Sequence, residues 1–268
     1  MAVRGLIAAG ERLGIAENSI RVALARLLAA GQVERDERGR YGLGAQAAAV
    51  RGQVTSWRTT DERLVPAWDG SWIGVHRSGH APRATAKSQR RRERALRFLG
   101  FRRLEGALEV RPNNLRGGVA DARARLLALG LEPQALVFQL NEFDAATEMR
   151  ARRLWDAAAL RSGYQRSLAE LADSEERLPR LSERDAMVES FLLGGRVIRQ
   201  LVLDPLLPEP MVPRAERTAL LTALRRYDQL GRQCWSSFMR SVGAPHLHAP
   251  HDTRMAHGPE RLHAAGAV

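Results

Sequence analysis

The sequence predicts an α+β protein with an N-terminal winged helix-turn-helix, a central ferredoxin-like α+β sandwich and a C-terminal α-helical domain. Three patterns support this: two short helices followed by a hairpin, strands that alternate with helices, and long stretches of helical apolar periodicity. The predicted bounds are 1–44 for the winged helix-turn-helix, 45–66 for a low-order linker, 67–145 for the sandwich, 146–240 for the helical domain and 241–268 for a disordered tail.

In the first unit, the second helix carries the clearest periodicity. Its apolar residues recur every 3.6 residues, at Ile20, Leu24, Leu27 and Leu28. Asn18 or Ser19 can cap its start, and Gly31 suits its left-handed end. Two short strands, 32–35 and 40–43, then form a hairpin. Such a unit places its second helix in a major groove of DNA and its hairpin tip against phosphates.

This arrangement predicts a set of DNA-binding residues: Asn18, Ser19, Arg21, Val22, Ala25 and Arg26 on the helix, and Arg38 and Arg40 on the hairpin. Arg21 and Arg26 are expected to contact bases or phosphates, and Arg38 and Arg40 to contact phosphates. The alternative is a small helical unit that packs against a partner protein.

The middle of the chain follows a strand-helix-strand-helix-strand order. Apolar strands are predicted at 71–76, 106–112 and 135–140, with an arginine-rich helix before residue 101 and a second helix at 121–129. This spacing is typical of a ferredoxin-like sandwich. Because that fold serves many functions, it does not identify one.

The C-terminal part is predicted to be helical at 152–171, 182–203 and 215–240, with Ser182 as a helix cap. Residues 204–213 contain four prolines and cannot continue a helix.

Composition restricts the possible classes of protein. The 268 residues carry 42 Lys+Arg against 30 Asp+Glu, a formal net charge of +12, with 44% hydrophobic residues and one cysteine. The hydrophobic fraction is too high for a chain disordered throughout, and no run of about 18 apolar residues could span a membrane. A single cysteine excludes an internal disulfide framework. The start lacks a secretory signal pattern, so we predict a cytoplasmic protein.

The positive charge is almost entirely arginine, and it has a local maximum. Residues 83–103 carry nine basic side chains and one acidic one. Within them, Arg90, Arg91, Arg94 and Arg97 are predicted to bind phosphate, either of DNA or of a phosphate-bearing ligand. The alternative is a solvated helix face without a ligand.

Four stretches, in their order and spacing, resemble the PaaX family, the bacterial repressors of phenylacetic acid degradation. They are residues 19–27 with Gly31, residues 68–72, residues 99–101 with 110–113, and residues 204–208. The resemblance implies a homodimeric transcriptional repressor that binds double-stranded DNA and is released by an aryl-acyl-CoA effector. It implies neither a cofactor nor a membrane partner.

Two other functions remain open from the sequence. The helix that the family places before Leu6 is missing, so the chain could be a truncated member that binds a ligand or a partner protein instead of DNA. RNA binding through the sandwich is the third possibility, but the strands lack the stacking aromatic residues that this mode requires.

Catalytic and metal-binding patterns are not found. Residues 76–80, after the first central strand, offer no acidic metal ligand for a nuclease. His246, His248 and His251 could ligate a metal, but the surrounding composition favours a disordered tail. Cys234 is expected to be a buried, inert thiol. We therefore predict no enzymatic activity, no catalytic residues and no metal site.

Overall fold

The computed structural model describes residues 1–76 and 85–243. It contains helices and two small sheets, which confirms the α+β class. Some predictions fall outside the described residues: the tail from residue 244 onward, Arg83, residues 77–80, and the histidines His246, His248 and His251.

Residues 1–43 form two helices and a hairpin in the predicted order. The elements are α1 (Val3–Arg12), α2 (Glu17–Ala29), β1 (Val33–Arg35) and β2 (Tyr41–Leu43). Gly31 has a φ of 63° and its amide donates to the carbonyl of Leu28, so α2 ends at the predicted glycine. Met1 and Tyr41 exchange two backbone hydrogen bonds, which adds the first residues to the edge of the hairpin.

The prediction of a low-order linker at 45–66 is wrong. Two 3₁₀ turns and two helices occupy this segment: Ala45–Ala47, α3 (Ala48–Thr55), Ser56–Thr59 and α4 (Thr60–Arg63). Trp57 and Leu64 are buried, and Arg58 pairs at 3.2 Å with Asp228, which lies 170 residues later in the sequence. These contacts join residues far apart in sequence, so the local composition gave no indication of them.

The described part of the central unit contains four strands and two helices. They are β3 (Trp72–His76), α5 (Ala86–Phe98), β4 (Arg102–Glu105), β5 (Leu108–Pro112), α6 (Gly118–Leu129) and β6 (Leu136–Leu140). The sheet is antiparallel with the strand order β4-β5-β3-β6. The sequence prediction lacked β4, because this short edge strand is rich in exposed charged residues rather than in apolar ones.

The sheet separates two apolar cores. Ile73 and Val75 of β3 face α5 and α6, where Leu126 lies fully buried. Trp72 and Val110 belong to the core on the other side, together with the C-terminal helices. Both faces of β3 therefore contribute to packing, in agreement with the side-chain alternation of a strand.

In the described residues after β6, the chain forms four α-helices and the 3₁₀ turn Leu178–Arg180. The helices are α7 (Ala145–Arg152), α8 (Ala157–Arg177), α9 (Glu183–Val202) and α10 (Arg214–Ser241). Ser182 caps α9 as predicted. The single helix predicted at 152–171 is instead interrupted between α7 and α8. Asp156 accepts a hydrogen bond from the amide of Ala159 at 2.8 Å and starts α8, while the indole N–H of Trp155 donates to the carbonyl of Gly100.

A buried segment, residues 204–208, connects the C-terminal helices to the central unit; we call it the junction loop. Within the C-terminal helices, the hydroxyl of Tyr164 donates to the carboxylate of Asp204, and a guanidinium nitrogen of Arg217 lies 4.0 Å from it. The amide of Leu206 donates to the same carboxylate at 2.7 Å. Burial raises the pKa of Asp204, and the charge of Arg217 opposes this rise.

The central unit holds the junction loop from the other side. The guanidinium of Arg111 donates to the carbonyl of Pro205 at 3.4 Å, and the side-chain amide of Asn114 donates to the carbonyl of Leu206 at 2.6 Å. Burial, followed by the charge of Arg63, lowers the pKa of Arg111 to about 9. Leu206 has a φ of 54°, which non-glycine residues seldom adopt. The loop therefore keeps a strained backbone conformation through contacts with both units.

Candidate nucleic-acid interface

Helix α2 has no buried residue. Its predicted DNA-binding residues are all exposed: Asn18, Ser19, Arg21, Val22, Ala25 and Arg26. Val22 is 42% exposed although it is apolar. Small apolar side chains between arginines suit a major groove, because thymine methyl groups offer apolar contacts there.

The start of α2 differs from the prediction. Ala16, rather than Asn18 or Ser19, is the N-cap residue, and no side chain caps the helix. Asn18 and Ser19 therefore lie in the first turn. The first amides of a helix have no partner within the helix, and such uncapped amides can bind a phosphate oxygen.

The two arginines of α2 have different environments. Arg21 forms an exposed ion pair with Glu17, one helical turn earlier, at 2.6 Å. Arg26 forms no ion pair within the described part of the chain. Because Glu17 partly neutralises Arg21, Arg26 is the cation of α2 more readily available to a phosphate or a base.

The hairpin tip is held by an acidic side chain. One carboxylate oxygen of Asp36 accepts hydrogen bonds from the amides of Arg38 and Arg40, at 3.0 and 2.7 Å. Gly39 has a φ of 72°, which completes the tight turn. Both arginine side chains are exposed. Asp36 thus shapes the turn that presents the two arginines to solvent.

Residues 1–43, which we call the hairpin unit, are linked to the rest of the protein by helix α1. This helix rests on the C-terminal helices. The guanidinium of Arg12 lies 4.7 Å from the ring centroid of Phe238 in α10. Beside this contact, an apolar cavity of about 380 Å³ separates α1 from α9 and α10, with Leu6, Leu13 and Trp235 among its lining residues. The orientation of α2 therefore depends on a contact that is only partly packed.

A second basic surface lies on α5. Thr85 caps this helix by accepting a hydrogen bond from the amide of Ser88. Four predicted phosphate-binding residues, Arg90, Arg91, Arg94 and Arg97, are exposed. Arg90, Arg94 and Arg97 follow helical spacing along one side of α5 and form no ion pair within residues 1–76 and 85–243. Arg91 lies instead against Gly130 at the end of α6.

The sequence did not indicate a cavity of about 630 Å³ where β4, α8 and α9 meet. Arg102, Arg166 and Arg196 line it, together with the aromatic Trp155. The three arginines come from β4, α8 and α9, respectively, and become neighbours only in the fold. No local sequence pattern could therefore indicate them.

Other functional features are limited. Among the described residues, no helix is both long and apolar enough to cross a bilayer. Neither is there a group of three potential metal-ligating side chains in that part of the chain. Cys234 is half-buried rather than fully buried, and it packs at the edge of the C-terminal core.

Comparisons with known proteins agree with the sequence prediction over the C-terminal helices. Residues 155–237 match the family model described as "PaaX-like protein C-terminal domain", which confirms the predicted resemblance. Among solved structures, "Uncharacterized protein Rv0674 from Mycobacterium tuberculosis" is similar, with a TM-score of 0.54 and 21% identity over 89% of this chain and 91% of that chain. At this identity, the likeness shows a shared fold alone. No curated protein matches the chain.

Proposed function

We propose that this protein is a non-enzymatic DNA-binding transcriptional regulator of the PaaX type. It represses genes of aromatic acid catabolism, of the phenylacetate kind, and an aryl-acyl-CoA effector releases it from DNA. The observation that carries the proposal is the exposed face of α2 beside a hairpin with two exposed arginines, Arg38 and Arg40. The PaaX-like C-terminal helices support the choice of regulator class.

The proposed architecture is a winged helix, a ferredoxin-like middle unit and a helical C-terminal unit. Two helices followed by a hairpin support the first assignment. The order β-α-β-β-α-β and the antiparallel strand order β4-β5-β3-β6 support the second. The fold itself does not specify function, so the DNA-binding proposal rests on the exposed residues of α2 and of the hairpin.

Repression by a homodimer would place two copies of α2 in successive major grooves. An exposed apolar pair on α9 favours self-association, since Phe191 and Leu192 are 54% and 60% exposed. Sedimentation of the protein in solution tests this part of the proposal. A monomer at micromolar concentration would contradict it.

We assign Arg90, Arg94 and Arg97 of α5 to phosphate contacts. Their charges are not neutralised by ion pairs among the described residues, so they keep their full attraction for an anion. RNA binding through the sheet is disfavoured, because Trp72 and Val110 on one face are buried against the C-terminal core. A single-stranded RNA needs an accessible sheet face on which its bases can stack.

A gel-shift experiment with the full chain and the DNA upstream of its own gene tests the function. We expect a specific complex at low salt that weakens steeply as the salt concentration rises, because phosphate contacts release counterions. An aryl-acyl-CoA thioester should dissociate this complex, whereas the free acid alone should not.

Absence of any complex at low salt would contradict the repressor proposal. It would favour the second candidate function, a ligand-binding or hetero-oligomerising family member, for which the exposed apolar pair on α9 is the specific observation. A complex that forms equally with unrelated DNA would reduce the proposal to non-specific binding.

A further inference from the structure

The cavity between the central and C-terminal units has both charged and apolar walls. Its volume of about 630 Å³ is within the range of small-molecule sites. The cavity opens between the edge strand β4 and the helices α8 and α9. Ligand sites are frequent at such boundaries between structural units.

Two of the three arginines that line the cavity form no ion pair with a carboxylate of the described residues. Among the described residues, Arg102 donates to the carbonyl of its neighbour Phe101 at 3.0 Å and forms no ion pair with a carboxylate. Arg166 forms no ion pair within the described residues. The third, Arg196, is already paired with Glu170 at 3.0 Å. A guanidinium that lines a cavity and lacks a carboxylate partner can bind a carboxylate or a phosphate through two hydrogen bonds.

The rest of the lining combines apolar side chains with the polar Ser167, Glu170 and Gln200. Leu154, Leu160 and Leu203 contribute aliphatic surface, and Trp155 contributes an aromatic one. Asp156 also lines the cavity, but its carboxylate already accepts a hydrogen bond from the amide of Ala159. A ligand that fits must therefore combine an anionic group with an apolar one.

We infer that this cavity binds an amphipathic anion. Its phosphate or carboxylate contacts Arg102 and Arg166. Its acyl or aryl group lies against Trp155 and Leu160. The binding site does not depend on DNA binding, whereas its role as the effector site rests on the proposed function.

The position of the cavity gives the ligand a route to control domain orientation. Pro205 of the junction loop lines the cavity, and Trp155 donates to the carbonyl of Gly100, two residues before the start of β4. A ligand here contacts both units at once. It would shift their arrangement only by binding one arrangement more tightly than another.

Isothermal titration calorimetry on the full chain tests the site with three probes: an aryl-acetyl-CoA thioester, CoA without an acyl group, and the free aryl-acetate. Arg102→Ala and Arg166→Ala remove one cation each. Ala159→Trp adds bulk at an exposed position in the lining without changing charge. Arg199→Ala is the matched control, because Arg199 is exposed on α9 and does not line the cavity.

We expect the wild type to bind the thioester, with a Kd that each arginine variant and Ala159→Trp raise about tenfold or more. Arg199→Ala should bind like the wild type. Tighter binding of the thioester than of CoA would support apolar contacts in the same cavity. Tightest binding of the free acid would support the site and identify the carboxylate as the recognised anion.

Equal affinities in all variants would overturn the site, and so would the absence of binding of every probe to the wild type. Gel shifts without ligand separate this result from the proposed function. Arg166→Ala should retain the DNA affinity of the wild type, since α8 is not part of the candidate nucleic-acid interface. Ligand binding without any DNA binding would retain the site and refute the repressor.

Discussion

The hairpin unit and the junction loop differ in how far their side chains are buried. In the hairpin unit, α2 has no buried residue, and the predicted DNA-binding side chains are all exposed. In the junction loop, every residue from 204 to 208 is buried, including the carboxylate of Asp204. One region leaves its side chains exposed to solvent, and the other uses them to connect two parts of the same chain.

This difference predicts two distinct responses to mutation. Replacing an exposed side chain changes affinity with little effect on folding, since surface substitutions usually change stability by less than about 0.5 kcal/mol. Replacing a buried, hydrogen-bonded group leaves its partners unsatisfied. Stability measurements should therefore report on the junction loop, and DNA binding on the hairpin unit.

The largest expected effect comes from Asp204→Ala. This change leaves Arg217 buried without its carboxylate and removes the acceptor for Tyr164 and for the amide of Leu206. We expect the free energy of unfolding to fall by about 3–5 kcal/mol, as when one partner of a buried ion pair is removed. Urea denaturation measures the loss. Glu209→Ala is the control, because Glu209 is exposed just beyond the loop. An equal loss of stability in this control would show that the effect is not specific to Asp204.

The pH dependence of Asp204→Asn sharpens the same comparison. Burial raises the pKa of Asp204, so the unfolded chain releases this proton at a lower pH than the folded protein does. The stability that the protonated group contributes is present below about pH 4 and is lost as the pH rises through the folded pKa. The wild type should therefore lose stability relative to Asp204→Asn over that window. A relative gain would mean that Tyr164 and Arg217 lower the pKa instead.

The next effect separates close packing from backbone strain. Gly100 and Gly106 both have positive φ, at 75° and 50°. A Cβ atom on Gly100 would lie 2.7 Å from the Cα atom of Pro205, whereas one on Gly106 would meet nothing within 4 Å. Gly106→Ala should lower the free energy of unfolding by about 1–2 kcal/mol through strain alone. Gly100→Ala should exceed it by about 1–3 kcal/mol through overpacking. Equal losses of the free energy of unfolding in urea denaturation would show that the junction loop shifts to accommodate the added methyl group.

Elements with strong local signals were predictable from the sequence. The periodic apolar residues of α2 and Gly31 after it predicted a helix with the observed end. Ser182 predicted the start of α9 for the same reason, since a cap acts within a few residues. The exposure of the predicted DNA-binding residues of α2 followed from the same pattern, because the apolar face of a helix also defines its outer face.

Features that depend on distant contacts were not predictable. The segment at 45–66 is ordered by Trp57, which packs in the core of the C-terminal helices, and by Leu64, which forms a β-bridge with Leu115. β4 exists because it pairs with β5, while its own composition is polar. The cavity of about 630 Å³ likewise joins Arg102 to helices more than fifty residues later. A single sequence shows which residues are charged or apolar, but it does not show which of them meet.

A smaller effect is expected in the hairpin unit, and it concerns binding only. Arg38→Ala should weaken all DNA sequences about equally and reduce the slope of log affinity against log salt by about one unit. The free energy of unfolding should stay within about 0.5 kcal/mol of the wild type, because Arg38 is exposed. Gel shifts over a salt series measure the slope. Asp36→Ala is an informative companion, since it removes the acceptor for two turn amides without removing a cation. An unchanged slope in Arg38→Ala would exclude Arg38 from the phosphate contacts.

The smallest expected effect tests whether the ion pair on α2 limits DNA binding. Glu17→Gln removes the carboxylate that pairs with Arg21 at 2.6 Å while keeping the side-chain length. Both partners are about half exposed, so the change in the free energy of unfolding should be below about 0.5 kcal/mol. DNA affinity should increase, because Arg21 becomes available to a phosphate and a repelling charge is lost. Glu11→Gln on α1 removes a comparable charge away from α2, so an equal gain there would attribute the effect to net charge rather than to Arg21.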